Sequence, residues 1–226
     1  MGDEGVGVRV GDHVLHASAV AGVASCCYLE SVDVAFDMGV CFGKAASKSH
    51  VFITHGHIDH IAAFVTHAGR RSLQSMPPAK YYVPQHLAPH MQAIIDSFAA
   101  MQEAPIPATI VPVQPFDEIH LNSKWMVKAF PTCHRVPSLG YILYAKRSRL
   151  RDDLVGCDSK AIAALRKAGE CVTSQQLIPE IAYTGDTTVN VFTCAAGQGY
   201  GDLLRVKTLI TEVTATRRAD MTTTCS

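Results

Sequence analysis

The 226-residue chain lacks an excess of charge of either sign: Lys and Arg number 20, Asp and Glu number 20, and the formal net charge is zero. A neutral molecule has no whole-body field with which to draw in a polyanion. Nucleic acid, if it binds, must be gripped by a local basic patch or by metal. Long apolar runs are also missing. Nothing approaches the roughly 18–20 consecutive apolar residues that span a bilayer, so no membrane span is predicted. The start, Met1-Gly2-Asp3-Glu4, is acidic and leads into no apolar stretch of leader length, so no secretory signal is expected. Val6 stands where a myristoylated chain carries Ser or Thr. Repeats and low-complexity tracts are absent. Cysteine is not scarce, at 8, but without a leader Cys26, Cys27, Cys157 and Cys171 read as reduced, mostly packing residues. That usage fits a cytoplasmic or nuclear protein.

What is present is ordinary globular composition, 48% hydrophobic and 18% charged, enough for a sizeable core. β-rich runs read as strands at Ser31–Phe36, His50–Thr54, Lys80–Val83, Thr109–Val113, Trp125–Phe130, Gly140–Ala145, Ile181–Thr184 and Lys207–Glu212. A helix is predicted from Ile58 through Val65. A second runs from Pro84 to about Met101, where Leu87, Met91, Ile94, Ile95 and Phe98 recur at helical spacing. Ser159–Lys167 reads as a short helix stopped by Gly169. Strands in mixed order with helices between them predict an α+β fold, sheets covered by helices, as a single domain over residues 1–226.

The segment Thr54-His55-Gly56-His57-Ile58-Asp59-His60 follows a predicted strand, where side chains can converge at a sheet edge. His-x-His puts two imidazoles on one side of an extended backbone. Asp59 and His60 follow as the chain turns into a helix and can face a second ion. Neutral imidazole and carboxylate are zinc ligands. Four residues cannot close two sites, so distant ligands are required. His134 and Asp186 each sit just beyond a strand end. Taken singly, each reads as a turn or capping residue. With the cluster they supply a third imidazole and a carboxylate able to bridge two ions, an arrangement that generates hydroxide and clamps a phosphoryl displacement.

These residues resemble the metallo-β-lactamase superfamily, and within it ribonuclease Z (tRNase Z), short form. Four stretches carry the likeness: Val34-Ala35-Phe36-Asp37-Met38-Gly39, Phe52 to Ile61, His134-Arg135-Val136-Pro137-Ser138-Leu139-Gly140-Tyr141, and Tyr183-Thr184-Gly185-Asp186-Thr187. The resemblance spans roughly residues 30 to 214 and implies an αββα sandwich. It implies that His55, His57 and His134 hold one zinc ion and Asp59 and His60 the other, with Asp186 bridging. Asp59 would also orient or deprotonate the attacking water. Glu212 matches a family Glu that pairs with a downstream His to protonate the leaving oxygen; by itself it reads as a surface residue.

No His lies beyond His134, so neither that partner nor the family's last zinc ligand is in the sequence. Residues 215–226 form an atypical Thr-rich tail. The expectation is therefore two zinc sites with the second incomplete, a sandwich truncated on its C-terminal side, and catalysis impaired unless another chain supplies the missing part. A shortened chain, an altered reading frame or splice form, and a degenerate paralogue all fit.

Lys146-Arg147-Ser148-Arg149-Leu150-Arg151 is the one dense basic run. Alone it reads as a solvated turn. It falls where the family carries a tRNA-gripping arm, here about residues 146–178, and Lys146, Arg147, Arg149 and Arg151 become candidate phosphate contacts. The resemblance further implies a precursor-tRNA substrate, removal of its 3′ trailer, and a homodimer. The alternatives are a small-molecule hydrolase of the same superfamily and a catalytically dead, tRNA-binding or dimerising paralogue.

Overall fold

A computed structural model describes residues 7–195 and 200–214. The acidic start and the 215–226 tail lie outside the described residues. Seven strands, β1 (Val8–Val10), β2 (His13–Val20), β3 (Ala24–Leu29), β4 (Val34–Phe36), β5 (His50–Phe52), β6 (Ala79–Pro84) and β7 (Ala108–Val113), form one sheet in chain order. Pairing is antiparallel from β1 to β4 and parallel from β4 to β7. A five-stranded sheet holds β8 (Glu118–His120), β9 (Trp125–Pro131), β10 (Leu139–Leu150), β11 (Thr173–Thr187) and β12 (Thr208–Val213), in the order β12-β11-β10-β9-β8. Pro112 sits in β7, an edge strand, where its missing N–H breaks no ladder.

Side chains of period two explain why the sheets stack. Val34 and Phe36 of β4 point between the sheets with Phe52, Tyr82, Tyr141, Leu143 and Tyr183, while Ala35 joins the outer cluster. On that outer face Val51, Ile53, Tyr81 and Val83 meet Phe64 and Ala68 of α2 (Phe64–Leu73) and Met91 and Ile95 of α3 (Ala88–Met101). The second sheet turns Met126, Phe130, Ile142 and Ala182 outward against Val191 and Ala195 of α5 (Asn190–Ala195). The result is the expected four-layer αββα sandwich, with two more helices, α1 (Ile58–Ile61) and α4 (Ser159–Lys167). Among the described residues no helix is long and apolar enough to cross a membrane.

Several elements differ from the sequence reading. The helix expected from Ile58 to Val65 is two helices, α1 and α2, because the loop after β4 intrudes: Met38 N donates to His60 O at 2.8 Å and Ala63 N to Met38 O at 2.9 Å. The strand expected at Ser31–Phe36 keeps only Val34–Phe36, and β1, β2, β3, β8 and α5 add to the expected set. β10 and β11 run past the expected Ala145 and begin before Ile181, pairing from Lys146↔Leu177 to Leu150↔Thr173 as a two-stranded ribbon. At its base the register shifts between Leu143 and Tyr144 opposite Pro179, a bulge that accommodates the proline.

Candidate metal centre

β4 and β5 end side by side, and the loops that leave their C-terminal ends build the centre. Asp37, the residue after β4, is buried and adopts φ 54, a left-handed conformation that Asp tolerates. Its carboxylate accepts from Thr54 N at 2.8 Å, Thr54 Oγ1 at 2.9 Å, Tyr183 Oη at 3.0 Å and His60 Nδ1 at 2.7 Å. Position 39 must be Gly, because a Cβ there would lie 1.5 Å from Asp59 O. Asp37 thus ties the loop after β5 to the second sheet.

Three imidazoles meet beyond this hub. His55 Nε2 and His57 Nδ1 are 2.8 Å apart, and His134 Nε2 is 3.3 Å from His57 Nδ1. His134 comes from the β9–β10 loop, and Asp186 Oδ2 lies 3.9 Å from its Nε2. The ligand atoms of His55, His57, His134 and Asp186 all fall within 4.8 Å of one another, and so do those of His60, Asp186 and Glu212. Asp186 belongs to both groups. It is aimed by Gly185, at φ +57, where the β11–β12 register shifts by a bulge and brings Asp186 opposite Glu212. Asp59 belongs to neither group: its Oδ2 accepts from Gly22 N at 2.8 Å and stands 3.8 Å from His60 Nε2.

The electrostatics suit cations. Burial, then the neighbouring His60, His134 and His57, push His55 down to about 2. Burial likewise lowers His57 and His134. These rings are neutral and present lone pairs, the form a metal takes. Burial alone would lower His60 too, but the Asp186 and Asp37 carboxylates outweigh it and lift the ring to about 10; a cation at Nε2 would displace that proton. Burial works to raise Asp186, yet His60, His55 and His134 hold it below the usual carboxylate range. Glu212 is raised, chiefly by burial. The two His and carboxylate groups are compatible with metal binding.

The basic run is not brought to this centre. Arg147 lies eight residues beyond Leu139, about 26 Å along β10 by the strand rise. Arg147 and Arg149 are exposed on one face of the ribbon. Lys146 Nζ donates to Asn122 O at 2.9 Å, and Arg151 is tied to Asp153 at 2.6 Å and to Cys171 O at 3.0 Å. Residues the sequence reading passed over do reach the centre. Arg135, exposed, lies with Nη2 3.2 Å from His57 Nε2. It lines a cleft of about 810 Å³ with Gln85, His86, Gln114 and Ser138. The Phe36-Asp37-Met38-Gly39 turn is a visible signal for Asp37; nothing local marks the Tyr183 hydroxyl. His67 is buried, with Nδ1 2.6 Å from Tyr81 Oη and Nε2 3.2 Å from Ala45 O. Cys26, Cys27, Cys157 and Cys171 are free thiols.

No family model matches the chain. A chloroplastic tRNase Z of Arabidopsis thaliana is 30% identical over 208 residues, 92% of this chain but only 58% of that relative. The chain therefore spans a little over half of that protein's length. A nuclear ribonuclease Z of Triticum aestivum is 30% identical over 156 residues, 69% of this chain and 89% of the relative. Among solved structures, the short form of human tRNase Z matches with a TM-score of 0.46 and 17% identity, covering 94% of both chains. With a wheat ribonuclease Z matched over 89% of its length at 30% identity, the chain belongs to the ribonuclease Z (tRNase Z) family.

Proposed function

We propose that this chain is a zinc-dependent endoribonuclease that removes the 3′ trailer from precursor tRNA, with catalysis weakened by the lack of the family's last zinc ligand unless another chain supplies it. The observation that carries the reading is the convergence of His55 Nε2, His57 Nδ1 and His134 Nε2 beside Asp186, in a chain of the ribonuclease Z family. His55, His57 and His134 would hold one ion, His60 would help to hold a second, and Asp186, which belongs to both groups, would serve either. Zinc so held would activate the attacking water at neutral pH and offset charge at the phosphoryl group. Gly22 N–H fixes Asp59 Oδ2, so that the other carboxylate oxygen is oriented to take the proton of the attacking water. Attack at phosphorus leaves a 3′-hydroxyl on the tRNA and a 5′-phosphate on the trailer.

The cleft beside Arg135 leads an RNA strand to the metal centre, and the guanidinium offers a forked contact to phosphate. The ribbon and its tip, about residues 146–178, serve as the arm of a single domain over residues 1–226, with Arg147 and Arg149 on substrate phosphates. The chain works as a homodimer. Support comes from an apolar groove between α2 and α3 lined by Ile58, Phe98 and Leu73, which are 73%, 47% and 89% exposed. The location proposed is cytoplasmic or nuclear; the wheat relative is named nuclear and the Arabidopsis relative chloroplastic. Parallel assays on 3′-extended precursor tRNA and on bis(p-nitrophenyl) phosphate test the assignment. Preference for the RNA supports it, whereas turnover of the small diester without preference for tRNA favours a small-molecule hydrolase.

A further inference from the structure

The second group of potential ligands contains a residue with no assigned place at a metal. β11 and β12 are parallel, and the bulge at Gly185 sets Asp186 directly opposite Glu212. The Glu212 carboxylate is flanked on two sides: Ser25 Oγ donates to Oε2 at 3.2 Å, and Tyr183 Oη, whose hydrogen goes to Asp37, lies 3.3 Å from Oε1. It stays within 4.8 Å of both a His60 ring nitrogen and an Asp186 carboxylate oxygen. His60 supplies an independent pointer to a ligand. Its side chain is 1% exposed, and among the described residues Nε2 has no hydrogen-bond partner, with Asp186 Oδ1 3.5 Å away. Asp37 takes the hydrogen of Nδ1. That contact fixes the tautomer whose Nε2 lone pair faces Asp186 and Glu212, the usual role of an outer carboxylate at a metal-binding His. A buried polar nitrogen is ordinarily paired, and an unpaired one aimed at two carboxylates is suited to a cation.

We propose that Glu212 is itself a ligand of the second ion, which it holds together with His60 and the bridging Asp186. The inference deepens the metal-centre reading above and rests on it. One imidazole and two carboxylates form a harder donor set than the three imidazoles and one carboxylate of the first group. The two halves therefore discriminate between metals: the first retains zinc, while the second exchanges it for manganese, which carboxylate-rich sites suit better.

Metal content per chain, measured by mass spectrometry after dialysis, tests this without any assay of activity. Wild type should hold two zinc ions and lose one of them to excess Mn²⁺. Glu212→Gln should hold one. Its second site should weaken by at least the roughly 10–100-fold that loss of even an outer partner costs. Glu212→Asp should recover part of the affinity if the carboxylate is the ligand. Two ions of unchanged affinity in Glu212→Gln would overturn the proposal. Should that variant aggregate, wild type decides: a single ion at saturating zinc overturns it, and two ions of which one exchanges for Mn²⁺ sustains it. Two ions, one dependent on Glu212, in a protein that cuts no tRNA would sink the functional reading and leave this one standing.

Discussion

His60 Nδ1 donates to Asp37 Oδ2 across 2.7 Å, and both side chains are buried. The bond joins the end of β4 to the metal loop and orients the only imidazole of the second ligand group. Asp37→Ala removes the shared acceptor of Thr54, His60 and Tyr183 at once. Each buried donor left unpaired costs about 1–3 kcal/mol, and loss of an outer carboxylate lowers metal affinity by about 10–100-fold. Urea unfolding and a chelator competition should show both effects. A variant with wild-type zinc affinity would contradict the role given to Asp37.

Gly185 is constrained twice. Its φ is +57, and a Cβ would lie 2.6 Å from Thr54 Oγ1. Gly185→Ala should destabilise by about 1–3 kcal/mol, the usual strain of a disfavoured backbone, and should also displace Asp186 from both ligand groups. The expected readout is a lowered Tm together with reduced zinc content. A lowered Tm with full zinc content would mean that the bulge does not aim Asp186.

Burial, reinforced by Arg71, depresses His67 from 6.5 to about 4. The unfolded chain then binds the proton more readily than the folded one. Stability from this group is present above pH 6.5 and is lost as pH falls toward 4. His67→Asn abolishes the titration. The stability gap between wild type and His67→Asn should therefore narrow between pH 6.5 and 4 in urea titrations. A gap that stays constant over that window would rule out the buried neutral imidazole.

Arg147 and Arg149 share a face of the ribbon, while Arg151 is engaged by Asp153. Replacing both Arg147 and Arg149 by Ala should reduce the slope of log affinity against log salt for tRNA by about 2, roughly one per phosphate contact. Arg151→Ala should change it less. Equal effects at all three positions would show that the Asp153 pairing is given up on binding.

The two-layered core was legible because β4, β10 and β11 alternate by the rule of two. The run Thr54–His60 announced its chemistry by residue type alone, and the structure brings His134 beside it from the β9–β10 loop and Asp186 from the bulge within β11. The features that stayed hidden depend on contacts distant in sequence. The break between α1 and α2 is imposed by Met38. The ribbon beyond Ala145 is polar and looks like a loop, yet it is held by pairing with residues 173–177. Glu212 reads as surface at a strand end; only the β11–β12 register and the bulge at Gly185 set it beside Asp186.

The central claim is that the clustered imidazoles and carboxylates cut precursor tRNA at its 3′ side. The most direct measurement is to incubate the zinc-loaded protein with a 3′-extended precursor tRNA and map both product ends. The account predicts one cut after the discriminator region, with a 3′-hydroxyl on the tRNA and a 5′-phosphate on the trailer, lost in His55→Ala. A protein that holds its zinc and binds the precursor but leaves it intact would contradict the account.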